Sequence, residues 1–129
     1  MSSSEAVTRQ VRVQVESQFV PERSDPAEHR WFYVYRVRIS NEGAKPVHLV
    51  SRHWIITDAN GSVEEVKGPG VVGEQPVIKP GETFEYVSAC PIATSFGIMH
   101  GTYQMTVEGA AGFDAEIAPF TLGEPVTIH

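Results

Sequence analysis

Apolar residues recur at every second position along most of this chain. That rhythm confines it to one class of fold. Val11, Val13 and Val15 alternate with Arg12, Gln14 and Glu16. Trp31, Tyr33, Tyr35, Val37 and Ile39 form a longer row, and the intervening row ends in Arg36, Arg38 and Ser40. Phe84 and Tyr86 alternate with Thr83 and Glu85. Met99, Tyr103, Met105 and Val107 share a face opposite His100, Thr102, Gln104 and Thr106. Phe113, Ala115 and Ile117 alternate with Asp114 and Glu116. Side chains two apart lie on one face of a strand, so each segment has a core face and a wet face. Helical spacing hardly occurs. Only Ser24-Asp25-Pro26-Ala27-Glu28 suits a single helical turn.

Turn residues separate the rows: Asn41-Glu42-Gly43, Asn60-Gly61, Pro80-Gly81 and Gly109 to Gly112. The pattern predicts strands over 9–17, 31–40, 46–58, 62–66, 76–78, 82–89, 97–107 and 113–122. Pro76 and Pro80 bracket an edge strand, where a missing N–H is tolerated. Seven to eight short strands of this kind make a two-sheet antiparallel sandwich or a small barrel. The Trp31 row is expected to face inward, opposite Phe84, Tyr86, Tyr103 and Met105. The first few residues and Thr127-Ile128-His129 are expected to fray.

The 129 residues suit one domain, 1–129, with a folded core over about 9–122. Hydrophobic residues at 41% and charged residues at 20% fit a globular chain rather than a disordered one. No apolar run approaches the roughly 18 residues of a membrane span. Met1 to Glu5 lacks the basic and apolar segments of a secretion signal. One cysteine, Cys90, forms no internal disulfide, which fits a reducing compartment and points to the cytoplasm. The net charge of −6 argues against nucleic acid, whose binding needs a cationic footprint. Charge is split, +2 over residues 1–52 and −8 over 53–129. Paired strands would bring the two halves together, with Arg36 and Arg38 meeting Glu85, Asp114 or Glu116. The alternative is a basic stripe for an acidic partner.

Gly68-Pro69-Gly70-Val71-Val72-Gly73 matches G-x-G-x-x-G, but Pro76 and Pro80 forbid the helix that a dinucleotide fold requires. A glycine loop with Gly68, Gly70 and Gly73 can instead form an anion nest, with Lys67 adding charge. Glu64, Glu65 and Glu74 oppose a polyphosphate there unless a divalent cation bridges them. Arg52 and His53, beside Trp54, make a candidate binding surface; the alternative for His53 is a bond to a neighbouring strand's carbonyl. The five histidines and Cys90 show no zinc-ligand spacing. Asp58, Asn60 and Ser62 suit a hairpin better than a calcium loop. Cys90 or Ser95 with His100 has no nucleophile elbow to organise it. No catalytic residue, metal site or cofactor is expected.

The order of motifs is more specific than any one of them. Arg52-His53-Trp54-Ile55-Ile56-Thr57-Asp58 precedes Asn60-Gly61 and the G-x-G-V-V-G-x-x-P run that ends at Pro76. Pro80-Gly81-Glu82-Thr83-Phe84-Glu85-Tyr86 follows, then Gly97 to Met105, Phe113 and Ile117-Ala118-Pro119-Phe120. From about Val11 to Leu122 the chain resembles the bacterial ApaG family. The resemblance implies a fibronectin type III-like sandwich. It also implies an indirect link to cobalt and magnesium efflux, and a module that recognises protein partners, as related domains in F-box and DNA-polymerase-interacting proteins do. The family's glycine motif, here Gly68, Gly70 and Gly73, has been read as a pyrophosphate or nucleotide site. No established catalytic residue carries over.

Overall fold

The computed structural model describes residues 2–123. Nine strands follow one another: β1 (Ser2–Thr8), β2 (Val11–Phe19), β3 (Trp31–Asn41), β4 (Val47–Asp58), β5 (Val63–Pro69), β6 (Val77–Ile78), β7 (Thr83–Ile92), β8 (Phe96–Val107) and β9 (Ala110–Gly123). Two single 3-10 turns, Pro21–Arg23 and Pro26–Glu28, occupy the β2–β3 connection, each begun by a proline whose fixed φ suits that position. All ladders are antiparallel. One sheet runs β1-β2-β3-β7; the other runs β5-β4-β8-β9, with β6 also on β4. Of the two architectures the alternation allowed, this is the two-sheet sandwich rather than the small barrel.

The expected rows are in place. Tyr33, Tyr35, Val37 and Ile39 are buried, while Trp31, at the strand's start, is partly covered. Tyr103 and Met105 face them from the other sheet. Phe84 and Tyr86 do not: they sit beside Ile39 and Val37 in the same sheet, because β7 pairs with β3. Trp54 joins the layers, with ring centroids 5.4 Å from Tyr35, 6.1 Å from Tyr103 and 6.0 Å from Phe120. Burying each such side chain contributes roughly 1.5–3 kcal/mol, and edge-on aromatic pairs add about 0.5–1.5 kcal/mol.

The N-terminal expectation needs correction. Ser2–Thr8 is a strand paired with β2, and the first strand does not begin at residue 9. Arg9 and Gln10 form the turn between them, at φ 45° and 65°. The ending Thr127–His129 lies outside the described residues. The charge split resolves as expected at Glu85, which meets Arg36 at 3.2 Å and Arg38 at 3.8 Å. Asp114 and Glu116 take no part in it. Arg12 binds Glu5 and Glu42, both from its own half of the chain. With those acids in reach, the arginines form no unopposed basic stripe.

The two flanks of the sandwich differ. On one, hydroxyls stitch the first sheet to β9: Thr121 N donates to Ser2 Oγ at 2.9 Å, Ser17 Oγ to Thr121 O at 2.7 Å, and Glu116 N to Thr8 Oγ1 at 3.0 Å. On the other, β7 ends one sheet and β5 ends its neighbour. Among the described residues no hydrogen bond or ion pair joins these two strands. A cleft opens between them.

Candidate functional site

The cleft holds about 220 Å³ and is lined by Tyr35, Arg52, Trp54, Tyr86, Ser88 and the turn Val71–Gly73. Each wall follows from strand alternation. Tyr35 and Tyr86 belong to inward rows, with Ser88 next along the same row of β7. Arg52 and Trp54, two apart on β4, both reach the gap.

The glycine loop forms the outer wall. Beyond Gly68, paired with Arg52, the chain leaves β5 at Pro69 and reverses through Val72 and Gly73, at φ 44° and 80°. Val71 and Glu74 exchange backbone bonds at 2.8 and 2.9 Å, closing a two-residue turn. Gly70 stands at φ 59°, where a Cβ would lie 2.1 Å from the Glu74 carbonyl oxygen. As expected, glycines here adopt positive φ and no helix follows. Gly70 and Val71 are buried, however, so the loop is exposed only at its tip and base. A β-bulge in β4 between Leu49 and Ser51 anchors the loop: Val50 O accepts from Gly70 N at 2.9 Å and from Gln75 Nε2 at 2.8 Å.

Arg52 fixes the same loop from within. Its Nη1 donates to Pro69 O and Gly70 O, both at 3.0 Å. A Cβ on Gly68 would lie 3.1 Å from the guanidinium nitrogens, so that glycine leaves room for the arginine to cross the strand. No carboxylate pairs with Arg52 among the described residues. The loop therefore turns carbonyls, not amides, toward the cation. Three of its N–H groups, those of Gly70, Val71 and Glu74, donate to backbone carbonyls and do not converge on a point.

The other sequence candidates lie elsewhere. His53 is adjacent to Arg52, and alternation puts it on the outer face. There its Nε2 lies 2.8 Å from Glu65 Oε1, a side-chain carboxylate rather than the backbone carbonyl of a neighbouring strand. Lys67 is exposed and directly across from His53. Arg52, Gly68, Gly70 and Gly73 thus come together, while His53 and Lys67 form a second group on the outer surface. Cys90 is buried, and burial pushes its thiol up to about 11, away from the thiolate a nucleophile needs. Among the described residues no three His, Cys, Asp or Glu side chains gather closely enough to hold a metal ion.

The residues that sequence reasoning missed are the hydroxyls. All four tyrosines of the chain, Tyr33, Tyr35, Tyr86 and Tyr103, are buried, and a buried phenol requires a partner. Tyr33 donates to Ser95 O at 3.0 Å. Tyr35 is hydrogen bonded by Ser88, and Tyr86 and Tyr103 bond through their hydroxyls. Burial raises the pKa of Tyr35, Tyr86 and Tyr103, while Arg52 lowers all three, which puts the guanidinium in the field of the whole cluster. Tyrosine where phenylalanine would suffice is the signal the sequence carries for this cleft.

Fold and site together define a fibronectin type III-like β-sandwich with a polar cleft in its open flank. The ApaG domain family, DUF525, matches residues 21–107. The chain is 53% identical over 119 residues to Protein ApaG of Beijerinckia indica subsp. indica, covering 92% of each. It is 54% identical over 126 residues to Protein ApaG of Anaeromyxobacter sp., covering 98% of this chain and 99% of that one. A crystal structure of an ApaA protein from Bordetella pertussis superposes with a TM-score of 0.87 at 49% identity, over 91% of this chain and 95% of that chain. The chain belongs to the ApaG family, as its motif order indicates.

Proposed function

We propose that this protein is a non-enzymatic binding module that engages a protein partner in the cytoplasm through the open flank of its sandwich. The observation that carries this reading is the uneven distribution of exposed apolar side chains. Val63, Val72, Val77 and Val87 all lie on the strands and turn bordering the open flank, and they are four of the seven large hydrophobics exposed among the described residues. Val72 lines the cleft itself, Val87 stands on the outer face of β7, and Val63 and Val77 lie on the facing edge. Surface apolar groups gathered along one flank mark interaction sites more often than scattered ones do. The sandwich supplies a rigid frame, and loops at its border supply specificity. Any link to cobalt or magnesium efflux runs through such a partner, since no helix among the described residues is long and apolar enough to cross a membrane.

The test is an affinity capture with three forms of the chain. A Val63→Ser/Val87→Ser double variant is expected to lose partners that the wild type and a Val7→Ser control retain. Val7 is equally apolar and exposed but lies on β1, away from the open flank. Identical partner sets for all three forms would overturn this reading. Pyrophosphate and ATP, each with and without Mg²⁺, are screened in parallel by thermal shift. A rise in melting temperature accompanied by amide shifts at Gly68, Gly70, Gly73 and Lys67 would favour a small-ligand module instead.

A further inference from the structure

Arg52 is a half-buried cation that meets no carboxylate among the described residues. The other arginines whose contacts are resolved end differently: Arg12, Arg36 and Arg38 on acids, Arg9 and Arg23 over the rings of Phe113 and Phe32. Two backbone carbonyls hold one nitrogen of Arg52, and its other nitrogens remain to donate. The hydroxyls around it also have protons to give. Tyr103 is fully buried with Tyr86 as its hydroxyl partner, so Tyr103 donates and Tyr86 keeps its own proton for the cleft. Ser88 is the hydrogen-bond partner of the Tyr35 hydroxyl, and either of the two can donate, so one proton of this pair is available to a ligand. The cleft is therefore a set of donors around a fixed positive charge, and it suits a group that only accepts.

The shape of that group follows from the walls. About 220 Å³ is below the roughly 300–1,000 Å³ of sites for drug-sized ligands, so the cleft encloses a small group rather than a whole large ligand. A planar carboxylate matches the guanidinium fork and needs no amide nest. The cleft also opens directly beside β7, whose outer edge is unpaired over ten residues. An extended chain added along that edge would point alternate side chains into the gap, level with Tyr86 and Ser88.

We propose that the open flank takes an extended peptide as an added strand on β7, with one of its carboxylates anchored on Arg52, Tyr35 and Tyr86. This rests on the binding-module reading and names the partner's chemistry: an acidic side chain within the added strand.

Four probes test it by fluorescence anisotropy and amide shifts. They are a capped octapeptide of alternating Thr and Val with one central Glu, the same peptide with Gln, a Glu-free form with a free C-terminus, and pyrophosphate with Mg²⁺. The Glu peptide is expected to bind about tenfold tighter than both the Gln peptide and the Glu-free peptide with a free C-terminus. Tighter binding of the free-terminus peptide than of the Glu peptide overturns the side-chain anchor. Amide shifts should concentrate at 70–73 and 84–90. The preference should vanish in Arg52→Gln and fall by about half on a logarithmic scale in Arg52→Lys, which keeps the charge but loses the fork. Because Arg52→Gln also releases the Pro69 and Gly70 carbonyls, the Lys variant carries the test if the Gln variant melts early. Equal binding of Glu, Gln and free-terminus peptides overturns the proposal. So does a preference that survives in Arg52→Lys undiminished, or pyrophosphate shifting these amides while no peptide binds. If the peptides fail while Val63→Ser/Val87→Ser still abolishes partner capture, the binding module stands and the carboxylate anchor falls.

Discussion

The two flanks of this sandwich are closed by opposite means. At β1 and β9 the sheets meet through small neutral hydroxyls that bond directly across the seam. At β5 and β7 a loop, an arginine and a set of phenols stand where the sheets would otherwise meet. The first arrangement uses its hydroxyls within the fold, with Ser4 Oγ on β1 buried without a partner among the described residues. The second leaves donors without acceptors, beside an unpaired strand edge. A β-sandwich needs both edges managed, and this one seals one flank with itself and keeps the other for something else.

Alkali should separate the flanks most strongly. Tyr35, Tyr86 and Tyr103 carry raised pKa values because burial penalises the phenolate, and Cys90 is raised to about 11 for the same reason. Groups held protonated in the folded state contribute stability that is full below their unfolded values, near 9 for the thiol and 10 for the phenols. That stability is lost as the pH rises toward the folded values. Above pH 10 each group should weaken the fold by up to about 1.4 kcal/mol per pH unit. Urea midpoints at a series of pH values measure the loss, and amide exchange should rise first at 70–73 and 84–90. Uniform exchange along both flanks would break the distinction drawn between them.

Gly70→Ala comes next. Its Cβ would meet the Glu74 carbonyl at 2.1 Å from a left-handed backbone, so the loss should be about 2–5 kcal/mol. Gly73→Ala, at φ 80° in open space, should cost only about 1 kcal/mol. Equal costs in chemical denaturation would mean that the buried half of the loop is no better fixed than its tip.

On the closed flank, Ser17→Ala removes the donor to Thr121 O from a position that is 3% exposed. About 1 kcal/mol should go, with no effect on binding at the open flank. The smallest effect is a gain. Val72 is a β-branched residue at φ 44°, which asparagine adopts with less strain. Val72→Asn should stabilise the fold by about 0.5–1 kcal/mol in thermal melts. A loss instead would show that the exposed valine packs on the cleft more than its turn is strained.

The flanks also differ in how well the sequence announces them. Rows such as Val11-Val13-Val15 and Tyr33-Tyr35-Val37-Ile39 state their strands directly, because large apolar groups two apart have no other use. β1 does not. Ser2, Ser3, Ser4 and Thr8 offer no apolar row, and the strand exists through pairing with β2 and hydroxyl bonds to residues more than a hundred positions away. Its turn was equally hidden, since Arg9 and Gln10 adopt positive φ without a glycine to mark them. The glycine loop was legible as a non-helical turn. The cleft was not, because Tyr35, Arg52, Tyr86 and Ser88 come from three strands, and the two tyrosines read as core within their own row. Its signals were the hydroxyls of those tyrosines and the arginine at an inward position, followed by His53 on the outer face.

The bulge at Val50 has a mechanical consequence. Its one carbonyl is claimed twice, by the loop's Gly70 amide and by the Gln75 side chain. The same residue marks the place where β4 changes partner on its outer side, from β6 to β5, while β8 runs along its other side with a register shift. Moving the glycine turn would drag that carbonyl and alter the twist of a strand clamped on both sides. The turn is therefore a fixed jaw rather than a lid, and conformational adjustment on docking falls to the incoming chain. A receptor of this kind should discriminate by rate of escape rather than rate of capture, since nothing in the jaw must wait to open.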